Sequence, residues 1–137
     1  EAPLVLDDED VLKRVEPVIV KIAEAADEGL NPDGSMIYEN FLSKGYVDRE
    51  LHWWVQAENV VGHVNLYQHF GDKIGLEKAV RCWNFIKDFI VDDQSGEWYW
   101  SVYENHEVNK KDDKAGFWKC PYHNGRMCME ILERFCK

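Results

Sequence analysis

The chain has 137 residues, 45% of them hydrophobic, and 26 acidic against 16 basic side chains give a formal net charge of -10. This acidic excess repels phosphate groups, so we expect neither nucleic acid nor an anionic membrane surface as a partner. The sequence contains no run of 18 apolar residues and no signal-peptide pattern. Because it begins at Glu1 rather than at methionine, we expect a processed product or a fragment.

Helical spacing of apolar residues predicts a first helix from Asp8 to Glu28, with one buried face. Pro17 lies inside it and predicts a kink or a restart, and Gly29 is a plausible stop. Residues 30–50 combine turn-forming residues around Gly34 with a short extended stretch. They predict a long ordered loop, a candidate rim of a binding cleft.

Three further helices follow, from His52 to His69 with a stop at Gly71, from Ile74 to Val91, and from about Asn124 to Phe135. Between the last two, residues 97–103 predict a short strand and residues 104–114 a hairpin tip or a mobile loop. The apolar stripes expected to face the core are Trp53, Ala57, Val60, Val61, Val64 and Tyr67 in the second helix, Leu76, Ala79, Val80, Trp83, Ile86 and Ile90 in the third, and Met127, Cys128, Ile131, Leu132 and Phe135 in the last.

The four cysteines are expected to be reduced thiols in a cytoplasmic protein, since the chain has enough apolar residues to build a core without disulfides. Cys120 and His123 have the spacing of half a zinc site, but the matching half is absent, because Cys128 and Cys136 lie eight apart on a helix. We therefore predict no metal ion. The sequence also lacks a glycine-rich phosphate loop and the G-x-S-x-G and H-E-x-x-H motifs.

Two segments carry more chemistry than a core needs. In the first, Trp54 and Glu58 stand four apart and share a helical face, which would place an aromatic plate beside a carboxylate in the way that a sugar ring is commonly held. In the second, Asn124 is a predicted N-cap and puts His123 beside the start of the last helix. Histidine is the commonest general acid or base. In both segments a purely structural role, in the core or at a helix end, remains open.

The same segments make the chain resemble the C-terminal part of the N-acylglucosamine 2-epimerase superfamily, and most closely its cellobiose 2-epimerase branch. The resemblance covers most of residues 45–134 in the expected order and spacing. Its strings lie at residues 53–58, 60–62, 67–68, 96–100, 114–116 and 118–126.

This resemblance implies an all-α fold, namely the last third of an (α/α)6 barrel, with about four main helices, a small β-hairpin and long loops, all in a single unit over residues 1–137. It implies conversion of the reducing-end glucose of a disaccharide to mannose, without a cofactor, by proton removal and return at C2. His123 matches one of two catalytic histidines, Trp118 the tryptophan that packs on the sugar, and Trp54 and Glu58 the pair that contacts substrate. The other histidine and a substrate-binding arginine have no counterpart in this chain.

From the resemblance we expect a mono- or disaccharide as partner, little or no activity of the isolated chain, and self-association through apolar faces that the remaining barrel helices would cover. Three alternatives remain: a carbohydrate-binding or assembly module without catalysis, another 2-epimerase-type isomerase, and a glycosidase using Glu58 and Glu97 as its carboxylate pair.

Overall fold

The computed structural model describes residues 7–136, which divide into two compact units, one up to Leu30 and one from Asn31 onward. These residues form four α-helices and two small antiparallel sheets of two strands each. No helix among them is both long enough and apolar enough to span a membrane.

The first unit is built around helix α1, Glu9–Asp27. Asp8 is its N-cap, because the Asp8 carboxylate accepts from the backbone nitrogens of Asp10 and Val11, each at 3.0 Å. The helix runs without interruption through Pro17, so the predicted restart is wrong: a proline removes only one backbone hydrogen bond. The predicted buried face is also wrong within the described structure, since none of the residues of α1 is buried.

The second unit begins with a hairpin where the sequence predicted a loop. Strands β1, Glu39–Phe41, and β2, Tyr46–Asp48, pair antiparallel, and a 3-10 turn, Leu42–Lys44, joins them. Gly45 closes the turn in the left-handed region at φ 58°. Strands of three residues carry too little alternation to be distinguished from a loop by sequence pattern.

Helix α2, Trp53–Phe70, is the centre of this unit and packs against the two helices that follow it. It ends at Gly71, which caps it in the left-handed conformation at φ 70°, as predicted. Nine of its residues are buried: Trp53, Val55, Gln56, Ala57, Asn59, Val60, Val61, His63 and Val64. Just before it, strand β3, Leu51–His52, pairs with strand β4, Ser101–Val102, and fixes where α2 starts.

The predicted third helix is divided in two. Helix α3, Lys73–Phe85, continues into a π-helical turn, Ile86–Ile90. The core-facing stripe also differs from the prediction, because Val80 and Trp83 are 52% and 37% exposed while Cys82 and Phe85 are buried. Spacings of three and four residues both fit one helical face, so the pattern alone did not fix which row faces α2.

The segment between α3 and the last helix contains less strand than predicted. Besides β4, this segment holds isolated bridges, one between Val91 and Trp98 and one between Val102 and Val108. Glu97 interrupts the predicted strand because its backbone is left-handed, with φ 65°. The second bridge makes the stretch after β4 a hairpin, one of the two predicted alternatives.

Helix α4, Tyr122–Phe135, starts two residues before the predicted position. Asn124 is therefore not its N-cap but a buried residue of the first turn. Met127 is buried as predicted, whereas Leu132 and Phe135 are 59% and 47% exposed and Cys128 is also exposed, against the prediction. These side chains line an apolar groove of about 450 Å³ between α2, α3 and α4, so the apolar row lies at the surface of this unit. Self-association through it stays a prediction.

Candidate functional site

The candidate site lies where the start of α4 meets the second turn of α2. The Nδ1 atom of His123 is 2.6 Å from Oε1 of Glu58, and Oε2 of Glu58 accepts a hydrogen bond from the guanidinium of Arg126. A neutral histidine whose Nδ1 donates to a carboxylate has its lone pair on Nε2. That Nε2 has no hydrogen-bond partner among residues 7–136. The pair is therefore arranged so that Nε2 can accept or return a proton.

A ladder of charged side chains along α4 brings His123 and Glu58 together. Arg126 also donates to Glu130, and Arg134 donates to Glu130 at 2.6 Å and to Asn65 of α2 at 2.6 Å. The residues on α4 are three or four apart, which keeps them on one face toward α2. Because α2 and α4 are matched along this face, His123 is opposite Glu58 although the two are far apart in sequence.

Aromatic rings surround the imidazole of His123. The ring centroids of Trp53, Trp54 and Tyr122 lie 5.4, 5.7 and 4.9 Å from it. Trp53 is buried beneath the site, whereas Trp54 is 36% exposed and presents part of its ring to solvent. The site thus has a closed floor and an open aromatic side, an arrangement that can hold the apolar face of a sugar.

The electrostatics of the site keep Glu58 ionised. Burial by itself raises the pKa of Glu58, but hydrogen bonds from Arg126 and His123, together with their charges, outweigh burial, and the pKa lies below its ordinary value. Glu58 is therefore a carboxylate at neutral pH. A carboxylate in this position fixes the orientation and the tautomer of the His123 ring.

Three of the four residues singled out from the sequence come together: His123, Glu58 and Trp54. Trp118 is 81% exposed, and its ring packs edge-on against Phe117 at 4.9 Å. Its contact with a sugar remains a prediction. Sequence reasoning missed Arg126, although its spacing of three residues from His123 on one helix was available as a signal.

A second ionic cluster lies beside the site and was also missed. Lys119 donates to Oε1 of Glu97 at 3.0 Å, and the amide of Asn124 donates to the same oxygen at 2.9 Å. Burial raises the pKa of Glu97, but the hydrogen bond from the Trp98 nitrogen and the contacts with Lys119 and Asn124 outweigh burial, so the pKa lies below its ordinary value.

These shifts bear on the glycosidase alternative. A glycosidase needs one carboxyl group whose pKa is raised, so that it can protonate the leaving oxygen. The pKa values of Glu58 and Glu97 are both lowered. Neither carboxyl group therefore has the raised pKa that a general acid of this kind needs. No group of three potential metal-ligating side chains occurs in the part of the chain that the structure describes.

Comparison with known proteins places the chain in a family. The model of the family described as N-acylglucosamine 2-epimerase (GlcNAc 2-epimerase) matches residues 11–125. The chain belongs to this family. A cellobiose 2-epimerase of Bacteroides fragilis is 55% identical to it over 96% of this chain and 34% of its own length. One from Ruminococcus albus is 44% identical over 95% and 33%. This member of the family thus spans about a third of the length of those relatives.

Solved structures agree with this assignment. The crystal structure of a sugar epimerase from a ruminal bacterium matches with a TM-score of 0.88 at 42% identity, over 96% of this chain and 33% of that one. The cellobiose 2-epimerase of Bacillus thermoamylovorans matches with a TM-score of 0.79 at 37% identity, over 93% and 32%. These neighbours are (α/α)6 barrels, and the chain forms a partial region of such a barrel. The predicted fold class is confirmed.

Proposed function

We propose that this chain is the C-terminal third of a sugar 2-epimerase that converts the reducing-end glucose of cellobiose-type disaccharides to mannose. The observation that carries the proposal is the hydrogen bond between His123 and Glu58, which leaves Nε2 of the ring available beside an exposed tryptophan. Membership of the family and the cellobiose 2-epimerase relatives support the choice of reaction.

The proposed chemistry is proton transfer at C2. After the sugar ring opens, Nε2 of His123 exchanges a proton with C2, and Glu58 stabilises the imidazolium that forms while the proton is on the ring. When the C2 proton leaves, its electron pair moves toward the carbonyl and gives an enediolate. Return of a proton to the opposite face inverts C2, and this needs a second acid or base group on that face. The resemblance locates that group outside this chain, so the isolated chain should have little or no activity.

In this proposal the tryptophans bind the sugar. Trp54 supplies the aromatic plate beside His123, and Trp118 packs on the other part of the substrate. Glu58 was predicted to contact the substrate, and its hydrogen bonds to His123 and Arg126 favour instead a role in holding the histidine. No cofactor is needed for this reaction. The free thiols of the cysteines are consistent with the proposed cytoplasmic location.

The test is replacement of His123 in the full-length protein that contains this chain. His123→Ala should abolish deuterium incorporation at C2 of cellobiose in heavy water, measured by NMR, while the circular dichroism spectrum stays unchanged. His69→Ala is the matched control, because His69 is exposed in the last turn of α2, at the opposite end from Glu58. Normal exchange in His123→Ala would show that His123 has no part in the chemistry.

A carbohydrate-binding module is the second candidate. The exposed rings of Trp118 and Phe117, 81% and 92% exposed, favour it, because such rings bind sugars without any acid or base. A module would bind cellobiose, detected by calorimetry, with no C2 exchange in the full-length protein. An epimerase would do both.

A further inference from the structure

Lys119 is a lysine side chain enclosed by protein beside the candidate site. Only 1% of it is exposed. Its Nζ donates to Oε1 of Glu97 at 3.0 Å and to the backbone carbonyl of Lys114 at 2.6 Å, and it lies 4.7 Å above the ring of Trp53. Burying a lysine is unfavourable unless it is paired, and an apolar side chain of the same size would fill the space at lower cost. Filling space therefore does not explain this residue.

Its acceptor, Glu97, gathers three donors on one oxygen. Oε1 accepts from the Trp98 backbone nitrogen at 2.9 Å and from the Asn124 amide at 2.9 Å as well as from Lys119. The backbone of Glu97 is left-handed, at φ 65°, which is uncommon for a residue other than glycine. Such a conformation persists where surrounding contacts fix it, and residues with a strained backbone of this kind concentrate at functional sites.

Two of the three donors to Glu97, Lys119 and Asn124, stand next to the two residues proposed to act on the sugar. Lys119 follows Trp118 in the chain, and Asn124 follows His123. One carboxylate oxygen thus holds both ends of the segment 119–124. The floor is shared too, since the Trp53 ring that lies under Lys119 also contacts the His123 ring edge-on at 5.4 Å.

We propose that Lys119, Glu97 and Asn124 form a clamp that positions His123 and Trp118 for the C2 proton transfer. The inference rests on the proposed function and adds positioning residues to it. None of the three needs to touch the sugar. Glu97 and Lys119 hold the segment before α4, and Asn124 holds the first turn of α4, so the imidazole keeps one place relative to the substrate.

The experiment uses Lys119→Met in the full-length protein. Methionine keeps most of the length of the side chain and removes its donors, while Glu97, with 32% of its side chain exposed, remains hydrated and keeps its bonds from Trp98 and Asn124. A displacement of about 1 Å at a reacting group costs on the order of 100-fold, so we expect kcat for cellobiose epimerisation to fall at least ~10-fold. Lys110→Met is the matched control: Lys110 is an exposed lysine of the hairpin that follows β4, and its replacement should leave kcat within about two-fold.

A second readout separates positioning from loss of folded protein. In heavy water, the ratio of C2-deuterated cellobiose to epimer does not depend on how many enzyme molecules are folded. Displacement of His123 changes how the enediolate is partitioned, so Lys119→Met should alter this ratio and Lys110→Met should not. An unchanged ratio together with an unchanged kcat would overturn the clamp.

If Lys119→Met does not fold, the double variant Glu97→Gln with Lys119→Met decides, because it removes both charges and leaves neither unpaired. Low kcat with an altered ratio in a folded double variant supports the clamp. Wild-type kcat in the double variant overturns the clamp, because the protein would then need only a balance of charge at these two positions and not the contacts themselves. Failure of the proposed function is distinguishable, because C2 exchange would then survive His123→Ala.

Discussion

Replacement of Glu58 by glutamine in the full-length protein tests how His123 is held. The amide cannot carry the negative charge that accompanies the imidazolium, and it leaves the guanidinium of Arg126 with one carboxylate partner, Glu130, instead of two. A hydrogen bond to a charged group contributes about 1.5–3 kcal/mol, and each 1.36 kcal/mol in the barrier changes a rate by about ten-fold. We therefore expect kcat to fall by roughly 10- to 100-fold. Glu58 and His123 are 35% and 32% exposed, so screening by water favours the lower part of this range.

The measurement is steady-state epimerisation of cellobiose, with kcat and KM determined separately. If Glu58 holds His123, the loss of activity appears in kcat, whereas KM changes little. If Glu58 instead contacts the substrate, as the sequence predicted, KM rises and kcat is kept, and that result would refute the reasoning. Asp33→Asn is the matched control, since Asp33 pairs with His106 at 3.0 Å in a carboxylate–histidine contact of the same kind outside the site. It should leave kcat within about two-fold.

Two predictions concern stability. Gly34→Ala should destabilise the protein by roughly 2–5 kcal/mol in urea unfolding, because Gly34 has φ +91° and an added Cβ would lie 2.6 Å from the backbone nitrogen of Cys82. Gly45→Ala, with φ +58° and nothing within 4 Å of the added atom, should cost only about 1–2 kcal/mol; equal losses would contradict the steric part. The hydrogen bond from Lys114 lowers the pKa of Asp92 to about 2, so its stabilisation is complete above about pH 4 and is lost as pH falls toward 2. Lys114→Met should remove this part of the acid dependence of unfolding, and an unchanged pH profile would count against the ion pair.

The sequence predicted elements that depend on local signals. The span of α2 and its stop at Gly71 follow from apolar spacing and from a residue suited to a left-handed cap. The hairpin formed by β1 and β2 was missed because strands of three residues carry too little alternation to be distinguished from a loop. Local pattern thus located the helices but not the short strands between them.

The sequence predicted which residues form the candidate site but not which of them pair with each other. Trp54, Glu58 and His123 were all singled out, yet a pairing between Glu58 and His123 was not, since helical spacing on one segment does not identify a partner on another. Asn124 has the residue type of an N-cap, but its amide binds Glu97 instead. That contact depends on the left-handed backbone of a glutamate, which no composition rule anticipates.

The charge ladder explains why such a site can be precise although its two parts come from distant segments. Arg126 and Arg134 alternate with Glu130 along α4, and Asn65 of α2 accepts from Arg134 at the far end. A slide of α4 by one turn would leave a partly buried charge without its partner, which costs more than the loss of an apolar contact. The pairs within α4 move with the helix, but the contacts that cross to α2, from Arg126 to Glu58 and from Arg134 to Asn65, can both form in one register only. The position of His123 against Glu58 is therefore set along the whole length of α4 and not only at its first turn.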